Sequence, residues 1–225
     1  MKRKPYLNYT RLPMENAYNV RELGGYATKK GSVTIHHQFL RSENLTDITE
    51  EDKTFLIEYG LSGIIDLRSR EEALIYPNPF RGNNAVKYIN CPLITDGILD
   101  LRAVEYKEML YKIFHFILDN IDGCLLFHCQ AGKDRTGVLA MILMGLAGVS
   151  KEDIVANYEV THTYLKENVK LRLEDGLEEL EFSKPQWIEK AYDHIIEHYG
   201  SFKVYLMAVG LTKKEIKKIR RKLAG

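Results

Sequence analysis

Cys129 and Arg135 lie six positions apart in the run Phe127-His128-Cys129-Gln130-Ala131-Gly132-Lys133-Asp134-Arg135-Thr136-Gly137. An ionised thiol can attack phosphorus, and a guanidinium can bind two phosphoryl oxygens through its planar fork while staying charged. The residues between them, Gln130, Ala131, Gly132, Lys133 and Asp134, are small or polar, so the backbone can close around an anion. The apolar run Cys124 to Phe127 leads in as a buried strand, and Val138 to Leu146 leads out as a buried helix. A strand-loop-helix turn of this kind aims amides at one anion and adds the positive end of the helix. The same field favours a thiolate: cysteines at such helix ends ionise at about 3.5–7.5 rather than roughly 8.5. The expected chemistry is phosphoryl transfer, in which Cys129 attacks and Arg135 with the loop amides stabilises the equatorial oxygens. Thr136 is expected to donate its hydroxyl to the Cys129 sulfur, His128 to hold the loop through a ring N–H, and Lys133 to add a second cation at the rim.

Other chemistries fit these residues less well. A nucleotide-binding loop needs Gly-x-x-x-x-Gly-Lys-Ser/Thr, but Asp134 follows Gly132-Lys133 and no glycine sits five before Gly132. A zinc site built on His128 and Cys129 lacks a second ligand pair at metal spacing. A structural cysteine would not explain Arg135 in register. A phosphate-reading module without turnover is the non-enzymatic alternative, although such a module has no need to keep both Cys129 and Arg135.

With these residues in view, the run resembles the signature of the protein tyrosine phosphatase superfamily: His-Cys, five residues, Arg-Thr-Gly. With Ala131-Gly132-Lys133-Asp134 inside the loop, it is similar to the atypical bacterial tyrosine and dual-specificity phosphatases, a group that also acts on phosphoinositides. Asn19-Val20-Arg21-Glu22-Leu23-Gly24-Gly25 resembles the N-terminal motif of that group, with Glu22 where Asp is usual. Asp66-Leu67-Arg68-Ser69 with Glu72 resembles a second motif, and Arg41-Ser42 also fits. The likeness spans about residues 14 to 160. It implies the cysteine-phosphatase fold, a cysteinyl-phosphate intermediate and no metal or other cofactor. It also implies a general acid on a loop ahead of the cysteine, which protonates the leaving oxygen and then activates water. Asp96, 33 residues before Cys129, is the first choice for that role, Asp134 the second and Asp66 the third. The implied substrates are phosphotyrosine proteins or peptides, with dual specificity open, or phosphoinositides as the alternative.

Several elements must position this loop. Asn19 to Gly25 reads as a turn, with Arg21 bracing either the loop or a carboxylate. Val33 to Leu40 reads as strand material broken at an exposed turn, His36-His37. Thr49 with Asp52 boxes a helix that ends at Gly60. Gly63 to Leu67 reads as a buried strand, which puts Asp66 and Arg68 at its carboxyl end, within reach of the loop or simply paired with each other. Ala85 to Asn90 is a further strand, and Val104 to Leu118 a helix. Ser150, Ser183 with Pro185, Ser201 and Thr212 open helices towards the C-terminus, and residues 167–182 read as a surface helix or lid.

The resulting expectation is an α/β fold with a central, mostly parallel sheet of four or five strands, helices on both faces and a helical C-terminal part. The 225 residues are read as one phosphatase domain, 14–160 its core and 161–225 a helical extension packed on it. A hydrophobic content of 45% and a charged content of 28% are ordinary for a globular chain. The longest apolar run, Gly137 to Val149, is 13 residues against about 18 for a membrane span. The start, Met1-Lys2-Arg3-Lys4-Pro5, lacks the apolar centre of a signal peptide. Three cysteines argue against a disulfide framework, so a cytoplasmic monomer is expected, with Cys91 or Cys124 available to trap an oxidised Cys129. The net charge of +1 is unevenly spread: residues 1–12 hold four basic groups and no acid, and 211–225 seven basic and one acidic. These ends are read as solvated rather than as nucleic-acid or membrane contacts.

Overall fold

The runs at 61–66 and 124–128 carry no charge before their last residue, so both of their faces can be buried. In the computed structural model, which describes residues 3–93, 101–166 and 183–225, they form β3 (Leu61–Asp66) and β5 (Cys124–His128), paired in parallel. β2 (Phe39–Ser42) flanks β5 and β4 (Lys87–Asn90) flanks β3, both in parallel, and β1 (Arg21–Glu22) closes the edge antiparallel to β2. The order is β1-β2-β5-β3-β4, the mostly parallel five-stranded sheet that the sequence leads one to expect. Side chains alternate across it. Phe39, Ile65, Leu125 and Phe127 point into one core, while Leu40, Ile64, Leu126 and Cys124 point into the other.

The second core is covered by α1 (Glu50–Glu58), whose capping box is closed by Thr49 and Asp52 as expected. The larger core holds α3 (Val104–Asp119) and α4 (Asp134–Ala147). α4 is buried almost all round, which fits its apolar composition. It is surrounded by α5 (Lys151–Leu165), α6 (Pro185–Tyr199), α7 (Phe202–Val209) and α8 (Lys213–Ala224). The C-terminal helices therefore encase the helix that carries the Cys129–Arg135 loop.

The structure corrects three local expectations. Strand pairing falls at 39–42 rather than from Val33, because Val33 only bridges Ala27 across a turn. The turn at 19–25 contains a two-residue strand. His36-His37 is half-buried rather than exposed. The His37 ring stacks on Tyr59 at 4.0 Å, and its amide donates to the Glu22 carboxylate at 2.6 Å. A helix that the sequence pattern does not announce, α2 (Arg70–Ile75), follows β3 and starts with a box made by Ser69 and Glu72. Cys124 is simple strand packing, and burial pushes its thiol up.

Tight helix packing sets one expectation. A Cβ at Gly145 of α4 would lie 2.3 Å from the Phe202 ring of α7. Gly145→Val should cost about 1–3 kcal/mol and lower Tm by several degrees. Activity per folded molecule should persist, because the loop lies at the other end of α4. Thermal melting alongside phosphate release at low temperature checks both.

Candidate active site

Five successive loop carbonyls are tied outward. The His128 ring is hydrogen-bonded to the Cys129 carbonyl through Nδ1 at 3.1 Å, and Asn78 Nδ2 donates to its Nε2 at 2.9 Å. That partner fixes the tautomer with the proton on Nδ1, so His128 donates to the loop as expected. The Asn44 amide donates to the Gln130 carbonyl at 2.8 Å, and Asn19 Nδ2 to the Ala131 carbonyl at 3.1 Å. Arg41 Nη2 donates to the Gly132 carbonyl at 2.8 Å, and the Gly137 amide to that of Lys133 at 2.6 Å. In a trans peptide the next N–H points opposite the carbonyl. The amides of Gln130 to Asp134 are thereby turned away from those partners. Gly132 has φ +66, and a Cβ there would lie 2.4 Å from the Ser42 carbonyl oxygen, so only glycine fits between loop and strand.

Arg135 sits on the first turn of α4. Its Nη1 and Nη2 donate to the two Glu72 oxygens at 2.6 and 2.8 Å. Two of its five donors are thus spent on a bidentate clamp from α2, leaving Nε–H and the outer N–H groups for an anion. Burial opposes the Arg135 charge, but Glu72 and the neighbouring Cys129 outweigh it and hold its pKa above the ordinary value. Burial likewise opposes the Glu72 charge, yet Arg135 and the Ser69 amide keep that carboxyl below its usual range.

Asp66 and Arg68 prove to be a structural pair. Both are fully buried, and Arg68 reaches the two Asp66 oxygens through Nε at 2.9 Å and Nη2 at 2.7 Å. Tyr88 adds a hydroxyl donor at 2.8 Å. Burial pushes the Asp66 carboxyl up, but His128 and Arg68 overcome that and hold it at about 2. A carboxyl held ionised and doubly bonded is poorly suited to act as the general acid. An Asp66 oxygen also lies 3.6 Å from His128 Nε2.

Asp134 accepts a hydrogen bond from the Tyr158 hydroxyl at 2.6 Å through Oδ1, and its Oδ2 lies 3.7 Å from Lys133 Nζ. Lys133 is buried beside Asp134, not free at the rim as the sequence suggests. Thr136 is fully buried, and its hydroxyl bonds to nothing among the described residues, including the Cys129 sulfur that the sequence leads one to expect as its acceptor. Asp96 and the span 167–182 lie outside the described residues.

Arg21 braces the loop at second hand. Its Nη1 donates to the Asn19 side-chain oxygen, and its Nη2 donates to the Asn157 carbonyl at 2.7 Å and the Thr161 hydroxyl at 2.9 Å. Asn19 in turn holds Ala131. Arg41, which burial brings down to about 10, donates to Asn157 Oδ1 at 2.6 Å. Buried Glu43 accepts the Asn19 amide at 3.0 Å. Sequence reasoning misses Asn19, Asn78, Glu43, Asn157 and Tyr158 as loop supports. A buried strand arginine such as Arg41 demands an acceptor, but nothing in the chain says that α5 supplies it. Glu72 stands out in the chain only as a motif residue.

A loop of braced carbonyls that begins at a cysteine and ends at a clamped arginine, on a mostly parallel α/β sheet, fits a cysteine-dependent phosphatase. The tyrosine phosphatase family model matches residues 12–225, and the chain belongs to that family. It is a phosphoric monoester hydrolase of the protein-tyrosine-phosphatase type. A tyrosine-protein phosphatase of Nostoc commune is 29% identical over 216 residues, 82% of this chain and 74% of the relative. The triple specificity protein phosphatase PtpB of Mycobacterium tuberculosis is 27% identical over 121 residues, and the match covers 45% of this chain and 44% of that relative. Among solved structures, the catalytic domain of the PP-IP phosphatase SIW14 from S. cerevisiae is 19% identical, with 83% and 94% of the two chains covered and a TM-score of 0.45. Among the described residues no helix is long and apolar enough to cross a membrane.

The Asp66–Arg68 pair predicts an acid-sensitive stability. The folded carboxyl sits near 2 against an ordinary 3.8, so its contribution is full above about pH 4 and is lost as pH falls towards 2. That contribution is about 2 kcal/mol. Arg68→Met should move the acid unfolding midpoint to higher pH and cost about 3–5 kcal/mol at pH 7, because Asp66 is left buried and uncompensated. Denaturant melts from pH 2 to 7 read both effects.

Proposed function

We propose that the chain is a protein-tyrosine phosphatase in which Cys129 is the nucleophile, Arg135 with the amides of Gln130, Ala131, Gly132, Lys133 and Asp134 holds the phosphoryl group, and Asp134 is the general acid. The observation that carries the reading is the row of five hydrogen-bonded carbonyls from Cys129 to Lys133. The thiolate attacks phosphorus, the phosphorus–oxygen bond of the ester breaks, and the leaving oxygen takes a proton from the acid. Water then attacks the cysteinyl phosphate, giving its proton back to the carboxylate and returning the thiolate. The inward amides and Arg135 stabilise the spread charge without a metal.

Among the carboxylates of the described residues, Asp134 is preferred to Asp66 and Glu72 for one reason. Both Asp66 oxygens are engaged by Arg68 and Tyr88, and both Glu72 oxygens by Arg135. Asp134 keeps Oδ2 without a short bond and is held in place through Oδ1 by Tyr158. Support for a phosphotyrosine substrate comes from the family and from the buried, Asp134-facing Lys133, which leaves the rim with little charge for extra phosphates. Phosphoinositides are the second reading. Under this proposal residues 14–160 form the catalytic core, 161–225 a helical extension packed on it, and a monomer in the reducing cytoplasm keeps Cys129 active.

Cys129→Ser should abolish phosphate release from a phosphotyrosine peptide, with EDTA and reductant present. Asp134→Asn should cut kcat by about 10²–10⁴ and remove the alkaline limb of the pH–rate profile, with KM nearly unchanged. Asp96→Asn should do neither, and the reverse pattern would transfer the role to Asp96. In the Lys133→Ala variant, phosphotyrosine and phosphoinositide turnover should fall alike; a selective loss on phosphoinositides would favour the second reading.

A further inference from the structure

At the far end of α4 from the catalytic loop lies a cavity of about 650 Å³ that the phosphatase chemistry does not use. Its size is within the range of about 300–1,000 Å³ typical of ligand sites. Gly145 to Val149 of the α4 terminus form one wall, and α6, α7 and α8 the others. Leu146, Ile196, Phe202 and Ile216 make an apolar floor. The rim is cationic: Lys29, Lys30, Lys203, Lys213, Lys217 and Arg220. The described residues that line the cavity include no carboxylate, in a chain whose net charge is only +1. Glu215, the one acid on α8, is turned away to its own helix start, where it accepts from the Thr212 amide and hydroxyl at 2.7 Å.

The cations come from separate parts of the chain, so their convergence is a product of the fold. Lys29 is docked there by its own amide, which donates to the Gly148 carbonyl at 2.8 Å. Lys213, Lys217 and Arg220 follow the i, i+4, i+7 spacing of one helical face. Solvent-exposed apolar side chains accompany them on the same elements: Val33 on the turn that carries Lys29 and Lys30, and Val204 next to Lys203 on α7. Cations, an apolar floor and flanking exposed apolar groups form the combination that engages the interface of an anionic bilayer.

We infer that this face is a docking surface for anionic phospholipid, with headgroup phosphate on the Lys29–Lys213–Lys217 rim and glyceryl and upper acyl carbons over the Phe202 floor. The docked lipid is not the substrate. α4 is 14 residues long, so the cavity and the Cys129 loop are separated by about 20 Å along it. A membrane seated on this face leaves the catalytic loop pointing away from it, towards soluble substrates. The inference holds whichever phosphomonoester Cys129 turns over.

The test is sedimentation of the full chain with phosphatidylcholine vesicles, with or without phosphatidylglycerol. Wild type should bind only the vesicles that contain phosphatidylglycerol, and added salt should release it. At roughly fivefold per cation, the triple variant Lys29→Gln, Lys213→Gln, Lys217→Gln should bind about a hundredfold more weakly. Its Tm and its phosphate release from a small soluble ester should match wild type. Equal vesicle binding by variant and wild type, or binding to pure phosphatidylcholine, would overturn the inference. So would tighter binding of an RNA oligonucleotide than of the vesicles, or saturation by glycerol phosphate without any vesicle binding. If the triple variant melts early, wild type alone decides: retention on the vesicles at high salt would overturn the inference, and release would support it.

Discussion

The fixed direction of five consecutive carbonyls, Cys129 to Lys133, is the constraint on which the rest of this enzyme depends. A peptide plane has two polar ends, and holding one outward commits the other inward. A histidine ring, a backbone amide, an asparagine, an arginine and a helix amide each take one carbonyl. The amides that follow are thereby turned to the opposite side without being aimed one by one. Under the proposed function such a loop is ready before the phosphate arrives, so little reorganisation is needed when charge develops on the transferring group.

That arrangement carries a cost in buried charge. Arg21, Arg41 and Glu43 lie around the loop at 2% exposure or less. Burial lowers the pKa of both arginines and raises that of Glu43. Their compensation is mutual: Arg21 holds Asn19, Glu43 holds the Asn19 amide, and Asn157 serves both arginines. A network of this kind is strong only when complete, because each partner removed leaves a desolvated group behind. The motif at 19–25 is therefore scaffolding. So is Asp66–Arg68, a fully buried pair at the carboxyl end of β3.

α4 joins the two anion-seeking ends of the molecule. Its N-terminus bears Asp134, Arg135 and the loop from Cys129, and its C-terminus ends at Gly148 in the wall of the basic cavity. The helix dipole favours an anion at the first end and cations at the second. The lysines at the second end come from other elements, so the field of α4 helps to hold them there.

The sequence by itself determined the spacing of Cys129 and Arg135 and the strand-loop-helix that carries them. Those features are local: seven residues, a leading apolar run and a following one set geometry and charge over a single turn of chain. It also determined the mostly parallel sheet, since apolar runs buried on both faces leave few other solutions. Tertiary structure alone decided which groups the motif residues touch. Glu72 finds Arg135 across 63 positions, and Arg41 finds Asn157 across 116, because a buried charge is satisfied by whatever element the fold brings beside it. The same holds for Thr136, whose sequence-expected bond to sulfur is not made, and for Lys133, drawn inward by Asp134. The basic cavity belongs to the same class. Of its six cations only Lys213, Lys217 and Arg220 belong to the basic end that reads in sequence as solvated, and the packing of α6, α7 and α8 around the end of α4 brings all six to one rim.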